Sequence, residues 1–371
     1  MSNPPSGEPP ASPEGVNSSG LLKRHAGKLF ASVLVVAAFA WLLHAGALPI
    51  VPDGAALGRV KWWTFALYLG LWSVVHWIRA VRWTWLLAPI ATIPRKRVID
   101  VAFIGFFAIV VLPFRAGEMA RPVLIRKKGE LSGWAATGTI GAERVIDGLV
   151  LSLLLLVALL ASTPLDPLPD RIGGLPVPAS IVPTATYAAL VLFAVAFVTM
   201  GLFFAKRELC RRWVRGAIGW ASPELADWLT ERVGKVADGI AFLPKARYSV
   251  PFVLATASYW LLNAAAGWLL AWGVGLSQVT FWHAAVVTGV LALGILLPNA
   301  PGFFGAFQIS VYAALAMYFP PDAVTTEGSA YVFLLYVGQL LVTAGAASVG
   351  LLRSHTSLGE ALGSRAGQLE S

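Results

Sequence analysis

Six ionisable residues fall in two short stretches of an otherwise strongly apolar chain. Pro113-Phe-Arg115-Ala-Gly117-Glu118-Met-Ala-Arg121-Pro122 carries Arg115, Glu118 and Arg121, and Glu143-Arg144-Val-Ile-Asp147-Gly148 carries Glu143, Arg144 and Asp147. Glu118 stands three residues from each arginine, and Glu143 stands four from Asp147, spacings that put partners on one helical face. A charge at the centre of a bilayer costs about 2.5–3.5 kcal/mol on insertion scales, so charges kept there pair or line a polar cavity. Two readings follow from the chemistry. The planar guanidinium fork suits bidentate capture of a phosphate. Alternatively the six residues neutralise one another and lock the two stretches together, as buried ion networks do. Three arginines against three acids is locally balanced, so a phosphate has to displace an acid or use free guanidinium edges.

A second stretch, Leu297-Pro298-Asn299-Ala300-Pro301-Gly302 with Gly305 and Gln308 beyond it, offers neutral amides and exposed backbone instead of charge. Asn299 and Gln308 either line a path for a polar headgroup or satisfy the backbone of a buried hairpin tip. Pro113 and Gly117 in the first break, and Pro298, Pro301, Gly302 and Gly305 in the second, are read as the structural hairpin residues. Proline removes a helix donor and glycine lets the chain reverse. The five histidines match no metal-ligand spacing, a lone Cys210 excludes an intrachain disulfide, and no Walker-type phosphate loop occurs. No metal, cofactor or catalytic residue is assigned.

These residues must be held by membrane helices. With 57% hydrophobic and 13% charged residues the composition lies outside the soluble range of about 45–50% and 25%. The apolar residues come in unbroken runs of the roughly 20 residues that a helix needs to span hydrocarbon. Continuous rather than alternating runs favour helices over a barrel. Spans are expected near 29–47, 62–80, 134–161, 184–205, 249–273 and 329–352, with shorter broken runs at 99–112 and 283–298. The net charge of +9 follows the ends of apolar runs, which points to topology and anionic lipid and away from nucleic acid.

If 99–112 crossed completely, Arg115, Arg121, Arg126, Lys127 and Lys128 would lie outside, against the positive-inside bias. A re-entrant hairpin restores it, leaving Arg59, Lys61 and Arg171 as the basic residues of external loops. The expected fold is therefore an all-α polytopic membrane protein with about six full spans and two oppositely oriented re-entrant hairpins, the pattern of an inverted repeat. The alternative for the second break is two ordinary short spans joined by a proline loop. Both termini are expected in the cytoplasm of a bacterial inner membrane. Residues 1–22 read as a disordered tail, 353–371 as a second tail, and 206–247 as an amphipathic cytoplasmic segment with Trp213, Ile218, Trp220, Leu225, Trp228, Leu229, Val233 and Val236 set among charges. That segment either docks on anionic headgroups or packs on the bundle as a solvated connection.

Leu112-Pro-Phe-Arg-Ala-Gly-Glu118, Ala120-Arg-Pro122, Glu143-Arg-Val-Ile-Asp-Gly148, Pro298-Asn-Ala-Pro-Gly-Phe-Phe-Gly305 and Arg82-Trp83 resemble the flippase-like transmembrane domain of lysylphosphatidylglycerol synthases over residues 30–352. The family pattern late in the chain is Pro-Gly-Gly-x-Gly-x-x-Glu; here Phe303 replaces the second glycine and Gln308 the acid, which puts any coupling by that acid in doubt. The resemblance implies the membrane half without a synthase domain. It implies a non-enzymatic lipid flippase for a membrane phospholipid or isoprenoid-linked lipid. Substrate contacts are then assigned to Arg115, Glu118, Arg121, Glu143, Arg144, Asp147, Asn299 and Gln308. A scaffold for a separate lipid-modifying enzyme and a small-solute transporter are the competing expectations.

Overall fold

The computed structural model describes residues 34, 36–45, 48–126, 130–171, 174–175, 179–206, 212, 222–276, 278–296 and 300–354. The terminal segments 1–22 and 355–371, Trp213, Ile218, Trp220, Pro298 and Asn299 lie outside the described residues. In chain order the helices are α1 (Val36–Ala45), α2 (Gly54–Gly58), α3 (Trp62–Leu87), α4 (Arg95–Val111), α5 (Ala120–Ile125), α6 (Gly133–Ala161), α7 (Ile181–Ala205), α8 (Pro223–Asp238), α9 (Ala246–Gly273), α10 (Phe281–Gly294), α11 (Ala306–Ala316), α12 (Pro321–Thr325) and α13 (Glu327–Ser354). Among the described residues there is no strand.

Among the described residues, five helices are long and apolar enough to cross a membrane: α3, α6, α7, α9 and the run Pro321–Ser354 formed by α12 and α13. The expected sixth span, 29–47, is represented by the ten-residue α1, and most of its earlier part lies outside the described residues. The other five match the expected spans, but α3 runs to Leu87, seven residues past the expected end at 80. Local chemistry sets the starts of the helices. Ser132 Oγ accepts from Ala135 N at 3.0 Å to begin α6. Thr280 and His283 cap α10 reciprocally, at 3.2 and 3.3 Å.

α7 is the most peripheral of the five. Only Val182, Thr186 and Met200 of its residues are buried, and Val191, Leu192, Val195 and Val198 stand about 60% exposed. An apolar helix exposed nearly all round requires lipid as its solvent. α3 packs along α9, α13 along α4, α6 along α7 and α10, and α8 against α6.

Both broken runs follow the same backbone grammar. In the first, Leu112 is extended (φ −83°, ψ 135°), Pro113 opens a 3-10 turn over Pro113–Met119, and Arg115 takes φ +58°. In the second, Ala300 is extended (φ −67°, ψ 159°), Pro301 opens a 3-10 turn over Pro301–Phe303, and Gly302, Phe303 and Gly305 take φ of +75°, +58° and +85°. Each chain then turns back. Arg97 Nη2 donates to Leu124 O at 3.5 Å, so the beginning of α4 and the end of α5 lie side by side. His283 stacks on Tyr318 at 4.3 Å, which does the same for α10 and α11. Gly117 lets the first turn lie on α4: a Cβ there would sit 2.1 Å from the Ala108 carbonyl carbon.

Apolar packing divides into two cores. One holds Ala80, Trp83 and Leu86 of α3 with Ala136, Ile140 and Ile146 of α6 and Phe252 of α9. The other holds Tyr68, Trp72 and Val75 of α3 with Leu155 and Ala158 of α6 and Tyr259 and Ala264 of α9. On all three helices a polar belt lies between the two cores, made of His76 and Arg79, Asp147, and Thr256. Asp147 stands fourteen residues from either end of α6, halfway along the helix.

Candidate functional site

The belt contains an ion network centred on the buried Arg82, Arg121 and Glu143. Arg82, 0% exposed, donates through both terminal nitrogens to the two oxygens of Asp147, one of them at 2.6 Å. It also donates to Thr256 Oγ1 at 2.8 Å and to Glu143 Oε1 at 3.0 Å. Glu143, also 0% exposed, accepts from Arg121 Nη1 at 2.8 Å and from Arg144 Nη2 at 3.0 Å. One carboxylate thus ties together α3, α5 and its own α6. Arg82 lies over the Tyr259 and Phe252 rings at 4.7 and 5.1 Å, and Arg121 over Trp83 at 5.1 Å. Removing one partner of such a buried pair strands the others.

Beside this network lies a cavity of about 380 Å³. Arg115, Glu118, Arg144 and Asp147 line it, with Trp72, His76 and Arg79 of α3, Tyr259 and Asn263 of α9, Gly302 at the second break, and Tyr336, Gln339 and Thr343 of α13. Arg115 binds Glu118 at 2.7 Å and donates through Nη1 to Ile295 O at 3.2 Å. Ile295 caps α10 at its carboxyl end, where carbonyls lack helical partners and the dipole favours a cation. The turn of the first broken run therefore caps the helix that leads into the second, and the two breaks meet at the cavity.

The expected residues divide by position. Arg121 and Glu143 are sealed in the network; Arg115, Glu118, Arg144 and Asp147 face the cavity; Asn299 lies outside the described residues. Gln308 is buried away from the cavity, where its Oε1 accepts from Gly305 N at 2.7 Å and satisfies the backbone of the second break. Glu118 pairs with Arg115 and not with Arg121, which goes to Glu143.

The local charge balance needs correction. Arg79, inside the expected span, and Arg82, on the part of α3 beyond residue 80, join the six expected residues, so five guanidinium groups face three carboxylates in the belt. Arg82 entered the sequence reading only as a family position, and Arg79 and His76 did not enter it. Their signal was present as three polar residues at i, i+3 and i+6 inside a tryptophan-rich apolar run. His76 Nε2 lies 3.0 Å from Thr343 Oγ1. Arg79 has no hydrogen bond or ion pair among the described residues, its Nε is buried without a partner, and its guanidinium sits 4.5 Å from the Phe106 ring and 5.8 Å from Tyr259.

Residues 29–352 match the family described as the lysylphosphatidylglycerol synthase TM region. The chain belongs to that family. Searches of curated proteins and of solved structures each returned no match. A multi-pass membrane protein with a lipid-related role is what the family and the apolar helices together establish. In this family member the two breaks carry the Pro113 and Pro301 turns, and Phe303 holds a left-handed backbone, φ +58°.

Proposed function

We propose that this family member is a lipid translocase, and not an enzyme, which carries the headgroup of an anionic or isoprenoid-linked lipid between leaflets. The meeting of the two breaks at one cavity into which charged side chains project from a largely apolar wall, fastened by the Arg115 to Ile295 bond, carries the reading. A charged headgroup meets a cost of several kcal/mol in hydrocarbon, and a lined cavity halfway along the spans removes most of it.

The two broken runs are proposed as re-entrant hairpins from opposite sides, related as inverted repeats. In support, the open end of the first lies at the start of α6, where the chain passes from Ile125 to Gly133, whereas the open end of the second lies at the far end of α6, where Tyr318 Oη is 2.8 Å from Ser162 Oγ. Arg95, Lys96 and Arg97 mark the first of these ends, which the positive-inside bias assigns to the cytoplasm of an inner membrane, with both termini there.

The test is reconstitution into liposomes containing a fluorescent phosphatidylglycerol, with an impermeant quencher added outside. Protein-dependent loss of the inner-leaflet signal is expected. Folded protein that leaves the signal of phosphatidylglycerol, phosphatidic acid and isoprenyl phosphate probes unchanged from empty liposomes overturns the translocase reading.

A further inference from the structure

We infer that the cavity selects a lipid phosphomonoester, a headgroup ending in a dianionic phosphate with no ammonium group, and that Arg79 is the residue that reads it. The inference rests on the cavity being a headgroup path. It starts from an asymmetry between the two kinds of charge in the wall. Each carboxylate already faces a guanidinium: Glu118 faces Arg115, Asp147 faces Arg82, and Glu143 faces Arg82, Arg121 and Arg144. Arg79 faces aromatic rings instead, at 4.5 and 5.8 Å, and is left with its hydrogen-bond donors unspent. A ring face steadies a guanidinium without neutralising it. With five guanidiniums against three carboxylates, the belt carries two surplus positive charges.

That surplus has a chemical complement. A phosphomonoester with a second pKa of about 6 is predominantly dianionic above neutral pH, whereas a phosphodiester headgroup carries a single negative charge. A dianion neutralises the belt, and its planar faces of oxygens match the guanidinium fork. An ammonium-bearing headgroup brings a cation to a wall whose carboxylates are all engaged. The neutral amides of Asn263 and Gln339 add polarity without charge.

The experiment uses the full chain in detergent at about pH 8, with binding read by native mass spectrometry. The probes are dioleoyl phosphatidic acid, phosphatidylglycerol, phosphatidylethanolamine and inorganic phosphate. Phosphatidic acid is expected to bind about tenfold or more tighter than either phosphodiester lipid, the size of one charge-assisted hydrogen bond. Arg79→Gln should abolish that preference. Asn263→Asp, which leaves Arg79 in place and adds a negative charge to the wall, should weaken it independently, and so covers the case in which Arg79→Gln fails to fold. Equal binding of phosphatidic acid and phosphatidylglycerol, or a preference that survives in folded Arg79→Gln protein, overturns the inference; where Arg79→Gln does not fold, a preference that survives Asn263→Asp overturns it. Inorganic phosphate competing as well as phosphatidic acid at equal concentration overturns the lipid assignment in favour of a free anion. Translocation of all three lipids at one rate sinks the selectivity and leaves the translocase standing. Selective, Arg79-dependent binding without translocation of any lipid upholds the selectivity and sinks the translocase.

Discussion

Arg79 and Arg82 stand three residues apart on one helix, yet they behave as opposites. Arg82 makes four hydrogen bonds to Asp147, Glu143 and Thr256, with no solvent to replace any of them. Arg82→Gln leaves two buried carboxylates short of a partner and should cost about 3–5 kcal/mol, enough to lower abundance severely. Arg79→Gln strands no carboxylate, so its melting temperature should stay close to the wild type. Melting of both variants in the same detergent checks the contrast; an equal loss from the two would mean that Arg79 has a structural partner. Glu143 adds a second check, because Arg121, Arg82 and Arg144 all converge on it. Glu143→Gln keeps the shape but removes the charge that three guanidiniums share, and should destabilise at least as much as Arg82→Gln.

The broken run from α4 to α5 depends on backbone approach more than on side-chain chemistry. Gly117 lies on the Ala108 and Ile109 peptide so closely that a Cβ would sit 2.1 Å from carbonyl atoms that have no room to retreat. Gly117→Val should therefore push the turn off α4, breaking the Arg115 contacts with Glu118 and Ile295 and costing about 1–3 kcal/mol. Gly141→Val makes the matched control, since nothing lies within 4 Å of a Cβ at that point on α6. Melting temperature and accessibility of the 113–119 turn to protease should change for the first variant and hardly at all for the second. If Gly117→Val melts like Gly141→Val, the close approach does not hold the turn. α8 illustrates the other kind of element. Charged and apolar residues are interleaved along it, and it meets α6 through Trp228, whose ring stands edge-on to Trp134 at 6.4 Å, and through Arg232, 5.6 Å from the same Trp134 ring. Of the two expectations for that segment, packing on the bundle is the one these contacts support for its described part.

Across the whole molecule the two ends differ in charge. Arg95, Lys96, Arg97, Arg126 and Arg353 gather where α4 begins and α13 ends, the two held close enough that a Cβ on Gly350 would lie 2.8 Å from the Asp100 carbonyl oxygen. Ala55, exposed on α2, lies at the other end of α3. Single cysteines in a Cys210→Ser background test the orientation: Ala55→Cys should react with an impermeant maleimide added to intact cells, and Arg97→Cys should react only after the membrane is opened. The reverse pattern would invert the molecule and move the first hairpin to the outer face.

Composition and run length were enough to determine a helical membrane protein, because the length of hydrocarbon to be crossed and the need to pair every backbone group leave few alternatives. The two breaks were legible too, since proline and glycine act on the backbone within a turn of where they stand. So was the gathering of Glu143, Arg144 and Asp147, whose spacing on one helix limits how far apart they can lie, whereas Arg121 reaches Glu143 from α5, 22 residues earlier in the chain. Three things were decided only by tertiary structure. Helix α3 continues past residue 80 because Trp83, Leu86 and Leu87 bury themselves in the core around α4 and α6, and that extension carries Arg82 into the belt beside Arg79. Gln308 turned inward to the Gly305 amide and away from the cavity. The pairing of Arg115 with Ile295 joins positions 180 residues apart, and no spacing along the chain encodes a contact that depends on how two separate breaks pack together.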